Sequence, residues 1–286
     1  MTNNKLKRNL IYIVSYLIIL FGFYYCQGTI FIEGMFTQFA SVMLVSFVLY
    51  YYIDSANRGE EIYLRPIAGL KAIEEAVGRS TEMGKSVLFI PGIMDMDQVE
   101  TVSGLTILGS VSELTAKYET SLNVPVSKSI VMEAARETCK ESYLKSGRPD
   151  LYYDDMVHYL TDDQFAYTAG VNGIMLREKP AACFYQGKFY AESLILAETG
   201  NSIGAIQIAG TGSPSQIPFF VTACDYTLIG EEFFTASAYL SKNPELIGSI
   251  KGQDIVKLIM MVSMVAVMVL NTLFQFELIS FNIIDI

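Results

Sequence analysis

Two short loops carry the side chains best suited to chemistry. The segment Ile90-Pro91-Gly92-Ile93-Met94-Asp95-Met96-Asp97 sets two carboxylates two residues apart, hard oxygen donors of the kind that hold Mg²⁺, in part through water. Asp95 and Asp97 also suit a plainer role as acids capping the helix that follows, and that reading is preferred. The segment Ala209-Gly210-Thr211-Gly212-Ser213-Pro214-Ser215-Gln216 offers flexible glycines, hydroxyls and an expected helix start at Pro214. Such a loop can cradle an anion with its main-chain N–H groups. It is not a dinucleotide fingerprint, because Ser215 stands where the third glycine of G-x-G-x-x-G would be, and no G-x-x-x-x-G-K-[ST] occurs. A plain turn is the preferred reading here too.

Glu198 and Asn201 close an apolar helical run, and Asp225 follows an apolar stretch read as a sixth strand. These three are expected to approach one another near the sheet edge, where two carboxylates in different environments can divide acid and base work. His158 is the only histidine; it lies between Val157 and Tyr159 in an expected strand and reads as structural. No G-x-S-x-G elbow presents a serine to it. The four cysteines, Cys26, Cys139, Cys183 and Cys224, are far apart and form no C-x-x-C, so ligands for a zinc site are lacking. They read as free thiols in a reducing compartment. No catalytic residue is assigned, and no cofactor is implied by motif beyond Mg²⁺ at Asp95 and Asp97.

The elements that must position these residues follow from apolar patterning. Short apolar runs alternate with helical ones, the pattern of βα units around a largely parallel sheet. Strands are expected at Ser86 to Ile90, Leu122 to Val126, Met156 to Leu160, Ala181 to Tyr185, Ala205 to Ala209 and Phe219 to Ala223. Helices are expected over Ala68 to Met83, Val99 to Tyr118, Ser129 to Lys145, Asp162 to Met175, Lys188 to Thr199 and Gly230 to Leu240, with Thr161 as an N-cap. The expected fold class is α/β, a Rossmann-like doubly wound, mostly parallel sheet. In such sheets ligands bind beyond the carboxyl ends of the strands, which is why the Gly92 and Gly210 loops stand out.

Three longer apolar stretches flank this block. Asn9 to Cys26 holds no charge and would reach roughly 27 Å as a helix, after a basic start at Lys5, Lys7 and Arg8. Its length and the lack of a small-x-small site favour a retained helix over a cleaved signal, with Cys26 an interfacial thiol. A connection from Gln27 to Gly34 leads into Met35 to Ile53, and a third stretch runs from Ile255 to about Phe276. Three transmembrane helices are therefore expected: an N-terminal hairpin over residues 1–53, an α/β domain over 54–252, and a C-terminal helix with a short tail over 253–286. Tyr24, Tyr25 and Tyr50 to Tyr52 suit the headgroup layer. Lys and Arg flank the N-terminus and the middle block, which places both on the cytoplasmic side of the inner membrane and the C-terminus outside. No Asp, Glu, His or Arg sits at membrane depth, which disfavours a transport pathway. Met260, Met264 and Met268 share one helical face and read as helix packing.

The chain has net charge −10, all of it arising between Asp54 and Gly252, where 26 acids face 16 Lys and Arg. Such a block repels phosphate backbones, so nucleic acid is not an expected partner. The expected partners are membrane lipids and either a second copy of the chain or another membrane protein.

From near Arg65 the chain also resembles a family of bacterial membrane proteins catalogued as a domain of unknown function. The segments that carry the likeness are Ile73 to Gly78 (IEEAVG), Val87 to Gly92 (VLFIPG), Asp163 to Gly170 (DQFAYTAG), Arg177 to Ala182 (REKPAA), Ala191 to Asn201 (AESLILAETGN), Gly204 to Thr211 (GAIQIAGT) and Cys224 to Glu232 (CDYTLIGEE). The resemblance implies a membrane-tethered cytoplasmic domain and no activity. The leading expectation is a non-catalytic scaffold or interaction subunit of a membrane complex or homo-oligomer. The alternative is a nucleotide- or anion-binding sensor or enzyme using the loops at the strands' carboxyl ends.

Overall fold

The computed structural model describes residues 2–25, 35–60, 62–63 and 67–275. Cys26, the Gln27 to Gly34 connection, Arg65 and everything from Phe276 onward lie outside those residues. The chain divides into two compact units, one of residues 1–64 with 243–286 and one of residues 65–242.

The second unit is a six-stranded parallel sheet between two layers of helices. Its strands are β1 (Val87–Ile90), β2 (Leu122–Val126), β3 (Val157–Tyr159), β4 (Ala182–Gln186), β5 (Ile206–Thr211) and β6 (Tyr226–Ile229). They lie in the order β3-β2-β1-β4-β5-β6, and every neighbouring pair is parallel. Strands covered on both faces read as unbroken apolar runs, and VLFI in β1 is buried throughout. Alternate residues of such a strand feed opposite cores. Val87 and Phe89 pack with α3 (Ala68–Glu82), α4 (Val99–Tyr118), α5 (Ser129–Lys145) and α9 (Glu231–Ser241). Leu88 and Ile90 pack with α6 (Gln164–Glu178), α7 (Glu192–Ser202) and α8 (Ile217–Ala223).

Two sequence expectations are corrected here. Phe219 to Ala223, read as the sixth strand, lies in α8, and the strand is Tyr226–Ile229. A five-residue apolar run cannot be told from one helical turn by periodicity, and Pro218 sits in the first turn of α8, where its missing N–H costs nothing. The cap of α6 is Asp163, whose carboxylate accepts Ala166 N–H at 2.8 Å; Thr161 lies outside the helix and accepts Asp163 N–H.

The first unit contains α1 (Thr2–Tyr25), α2 (Phe36–Asn57) and α10 (Pro244–Gln275). Two of these, α2 and α10, are long and apolar enough to cross a membrane, not the three expected. The basic residues Lys5, Lys7 and Arg8 occupy the first turns of α1, and its apolar portion among the described residues is only Ile11–Tyr25. That portion spans roughly 22 Å at the helical rise, short of a bilayer core.

Helix α10 packs against α2 through Gly248 and Gly252. A Cβ at Gly248 would stand 2.6 Å from Ile53 Cα and from Tyr52 O, and one at Gly252 would stand 3.0 Å from Leu49 Cα. This Gly-x-x-x-Gly spacing lets two helical backbones touch. Beyond it, every side chain of α10 from residue 257 to 270 is exposed within the chain.

Candidate functional site

The strand order reverses between β1 and β4, so the loops leaving these strands frame the position where doubly wound sheets hold ligands. Here the two loops are in main-chain contact. Gly92 takes φ +79°, and a Cβ on it would meet Lys188 O at 2.7 Å; its neighbour Ile93 donates its N–H to that same oxygen at 3.1 Å. From the other side, Gly187 takes φ +141°, and a Cβ there would meet Pro91 O at 2.7 Å. Gly187 also donates its N–H to Gly210 O at 2.9 Å, which joins the end of β5 to the same cluster.

Above this contact Lys188 Nζ donates to Gln98 Oε1 at 3.1 Å. Gln98 is the N-cap of α4, and its side chain caps no helical N–H. A half-buried ammonium therefore stands at the positive end of a 20-residue helix. Below the contact, Gln186 is fully buried, donates Nε2–H to Ile208 O at 2.9 Å and leaves its Oε1 without a described partner. Gly210 makes room for that oxygen, since a Cβ on it would stand 2.2 Å away, and Gly104 of α4 lies as tightly against Gln186 O. The buried Thr101 hydroxyl, one turn earlier on α4, is likewise without a described partner.

The residues singled out from sequence fall at opposite ends of the sheet. At the carboxyl end, Asp95 Oδ1 accepts Met96 N–H at 2.7 Å and Asp97 Oδ2 accepts from Gln98 Nε2 at 3.2 Å. Both carboxylates thus engage immediate neighbours, and neither occupies the N-cap position of the next helix, which Gln98 holds without a side-chain cap. Among the described residues no three His, Cys, Asp or Glu side chains converge as metal ligands. In the β5 loop, Thr211 Oγ1 accepts Ser213 N–H at 3.2 Å and Ser213 O accepts Gln216 N–H at 3.1 Å. This is a turn closed on itself. Helix α8 starts at Ile217, not at Pro214, and has seven residues. A Cβ at Gly212 would meet the Phe234 ring at 2.9 Å.

At the amino end, Asp225 precedes β6, where the shifted strand puts it, and does not follow it. Its Oδ2 accepts Gln207 N–H at 2.8 Å. Glu198 and Asn201 are exposed on α7, and no hydrogen bond joins either to Asp225 among the described residues. The expected convergence of the three is not formed by any such bond. Asp225 instead lines a cavity of about 410 Å³ with Ala72, Glu75, Ala76, Arg79, Ile206 and Tyr226.

Two polar groupings escaped sequence reasoning. Glu192 is fully buried at the start of α7, where its carboxylate accepts Tyr190 N–H at 2.8 Å and a hydrogen bond from Gln164 Nε2. The neighbouring Ser193 hydroxyl donates to Gln216 Oε1 at 2.9 Å, tying the β4 loop to the β5 loop. Under β4, the Tyr185 hydroxyl lies 2.8 Å from Gln207 Oε1 and 3.1 Å from Leu196 O, while Gln207 Nε2 donates to Ala223 O. A strand-to-helix junction reading A-E-S and an apolar run reading A-C-F-Y-Q give no signal of which polar group turns inward.

The remaining reactive types are subdued. His158 Nδ1 lies 3.3 Å from Asp155 O. Burial pushes the Cys139 thiol up to about 11 and, with Asp225 and Cys183 adding to the effect at Cys224, pushes Cys183 and Cys224 up to about 12. Thiols so shifted are protonated and weakly nucleophilic near neutrality.

The molecule is thus an all-parallel α/β domain carried in one chain with two helices of membrane-crossing length. The chain belongs to the family of the domain of unknown function DUF6754, whose profile matches residues 26–282. No curated protein and no solved structure matches it.

Proposed function

We propose that this protein is a membrane-anchored, Rossmann-like doubly wound domain that acts as a non-catalytic scaffold or interaction subunit, in a membrane complex or a homo-oligomer. The observation that carries the reading is the occupied switch point: Gly92 and Gly187 bring the two central loops into main-chain contact where a ligand would otherwise lie. The exposed stretch from residue 258 to 270, apolar but for Ser263, supplies the anchor. In this reading the chain sits in the inner membrane, with its N-terminus and α/β domain cytoplasmic and its C-terminus outside, as the distribution of Lys and Arg favours.

One observation favours a second reading, an anion- or nucleotide-binding sensor or enzyme. The strand order is that of dinucleotide-binding sheets, and Lys188 stands at the start of α4. A single experiment separates the two. The protein is extracted gently from its native membrane, sized by light scattering and analysed by mass spectrometry for co-purifying proteins and small molecules. A defined homo-oligomer or stoichiometric partner is expected; a lone protomer carrying a nucleotide would replace the scaffold with the sensor.

A further inference from the structure

The cavity at the amino ends of β5 and β6 carries opposite charges that do not neutralise each other. Glu75 and Arg79 stand four residues apart on α3, the spacing at which helical ion pairs close, and Asp225 faces them from the loop before β6. Among the described residues none of the three takes part in an ion pair within 4.0 Å. Asp225 is held in place through one oxygen, Oδ2, which accepts Gln207 N–H; its other oxygen has no hydrogen-bond partner among the described residues. The floor is apolar, built from Ala72, Ala76 and Ile206, and the half-exposed Tyr226 closes one side. At about 410 Å³ the space falls within the range of small-molecule sites.

We infer that this cavity binds a zwitterionic small molecule of the free amino acid class. Its carboxylate meets the Arg79 guanidinium, whose planar fork matches two carboxylate oxygens, and its ammonium group lies between Asp225 and Glu75. The side chain rests on the Ala72, Ala76 and Ile206 floor. An exposed ion pair is worth little, about 0–1 kcal/mol, so leaving these charges apart costs the free protein almost nothing. A ligand bearing both charges satisfies both sides at once, whereas a simple anion or cation leaves one side repelling it. The site is independent of the scaffold reading, since it lies at the opposite end of the sheet from the switch point.

The test uses the full-length protein in detergent. Each of the standard L-amino acids is titrated calorimetrically at millimolar concentration, and the strongest binder is compared with its N-acetyl derivative, which lacks the ammonium, and its amide, which lacks the carboxylate. Saturable binding of at least one amino acid is expected, weakened tenfold or more in each blocked derivative and in each of the variants Arg79→Gln and Asp225→Asn. The first variant alters an exposed helix position, and the second keeps a side-chain oxygen for Gln207 N–H, so unchanged melting temperatures certify the fold. Failure of every amino acid to bind, equal binding of the blocked derivatives, or wild-type affinity in both variants would overturn the assignment.

Discussion

Gly200 shows at the residue scale how a buried polar group dictates its neighbour. A Cβ there would stand 2.2 Å from Gln207 Oε1 and 2.6 Å from the Tyr185 hydroxyl, both held in a buried network. Two effects of Gly200→Ala oppose each other. Removing glycine from a helix gains about 1 kcal/mol in propensity, but crowding a packed interior costs roughly 1–3 kcal/mol, and a displaced Gln207 also loses hydrogen bonds worth about 1 kcal/mol each. The clash wins, and Gly200→Ala is expected to be net destabilising by about 1–4 kcal/mol, read as a lower melting temperature. Because the closest clash is with Gln207, Gln207→Ala should cost less in the Gly200→Ala background than alone, a coupling that a double-mutant cycle measures. Additive effects would remove Gln207 from the explanation. Nothing in A-E-T-G-N identifies this glycine as a packing residue, because its constraint comes from a strand seven residues later.

At the element scale, the pieces legible in the sequence were those with strong period and punctuation. Helix α4 matches its expected bounds, Val99 to Tyr118, and five of the six expected strands lie where apolar runs fell between turn residues. The sixth failed because Phe219 to Ala223 is too short to show its period, and the error set Asp225 at the carboxyl end of a strand when it precedes one. The α2–α10 seam went unread for another reason: in I-G-S-I-K-G-Q the two glycines sit in a polar segment with Lys251, ahead of the expected span. At that seam, replacing both Gly248 and Gly252 by leucine is expected to part the helices, since a Cβ at the first would meet main-chain atoms of Tyr52 and Ile53. Cross-linking between cysteines placed on α2 and α10 beside the seam reports on it, with the yield in membranes falling severalfold on the double replacement. An unchanged yield would show that the seam does not hold the pair together.

For the whole molecule, the two-unit division carries its own expectation. Residues 65–242 contain both cores, the six strands and the helices that cover them. That size is ample for an independent domain, so the segment expressed alone should give a soluble protein that melts cooperatively, followed by circular dichroism. A molten or aggregated product would mean that the domain needs the helices of the first unit to fold. The change from apolar to acidic composition near residue 54 is legible in the sequence, but nothing there signals that the central loops come into main-chain contact. That outcome depends on φ angles at Gly92 and Gly187, which composition does not encode.

Helix α10 has the build of a cantilever. Its 32 residues extend roughly 48 Å, against a hydrocarbon layer of about 30 Å, and its closest approach to α2, the clamp at Gly248 and Gly252, lies toward one end. On the anchored reading the free arm from residue 257 to 275 is itself close to one bilayer thickness, so the clamp, with Lys251 and Asp254 beside it, stands in the wet interfacial layer. Thickening or thinning of the bilayer would then tilt the free arm about this fixed root, leaving the grip itself unstrained.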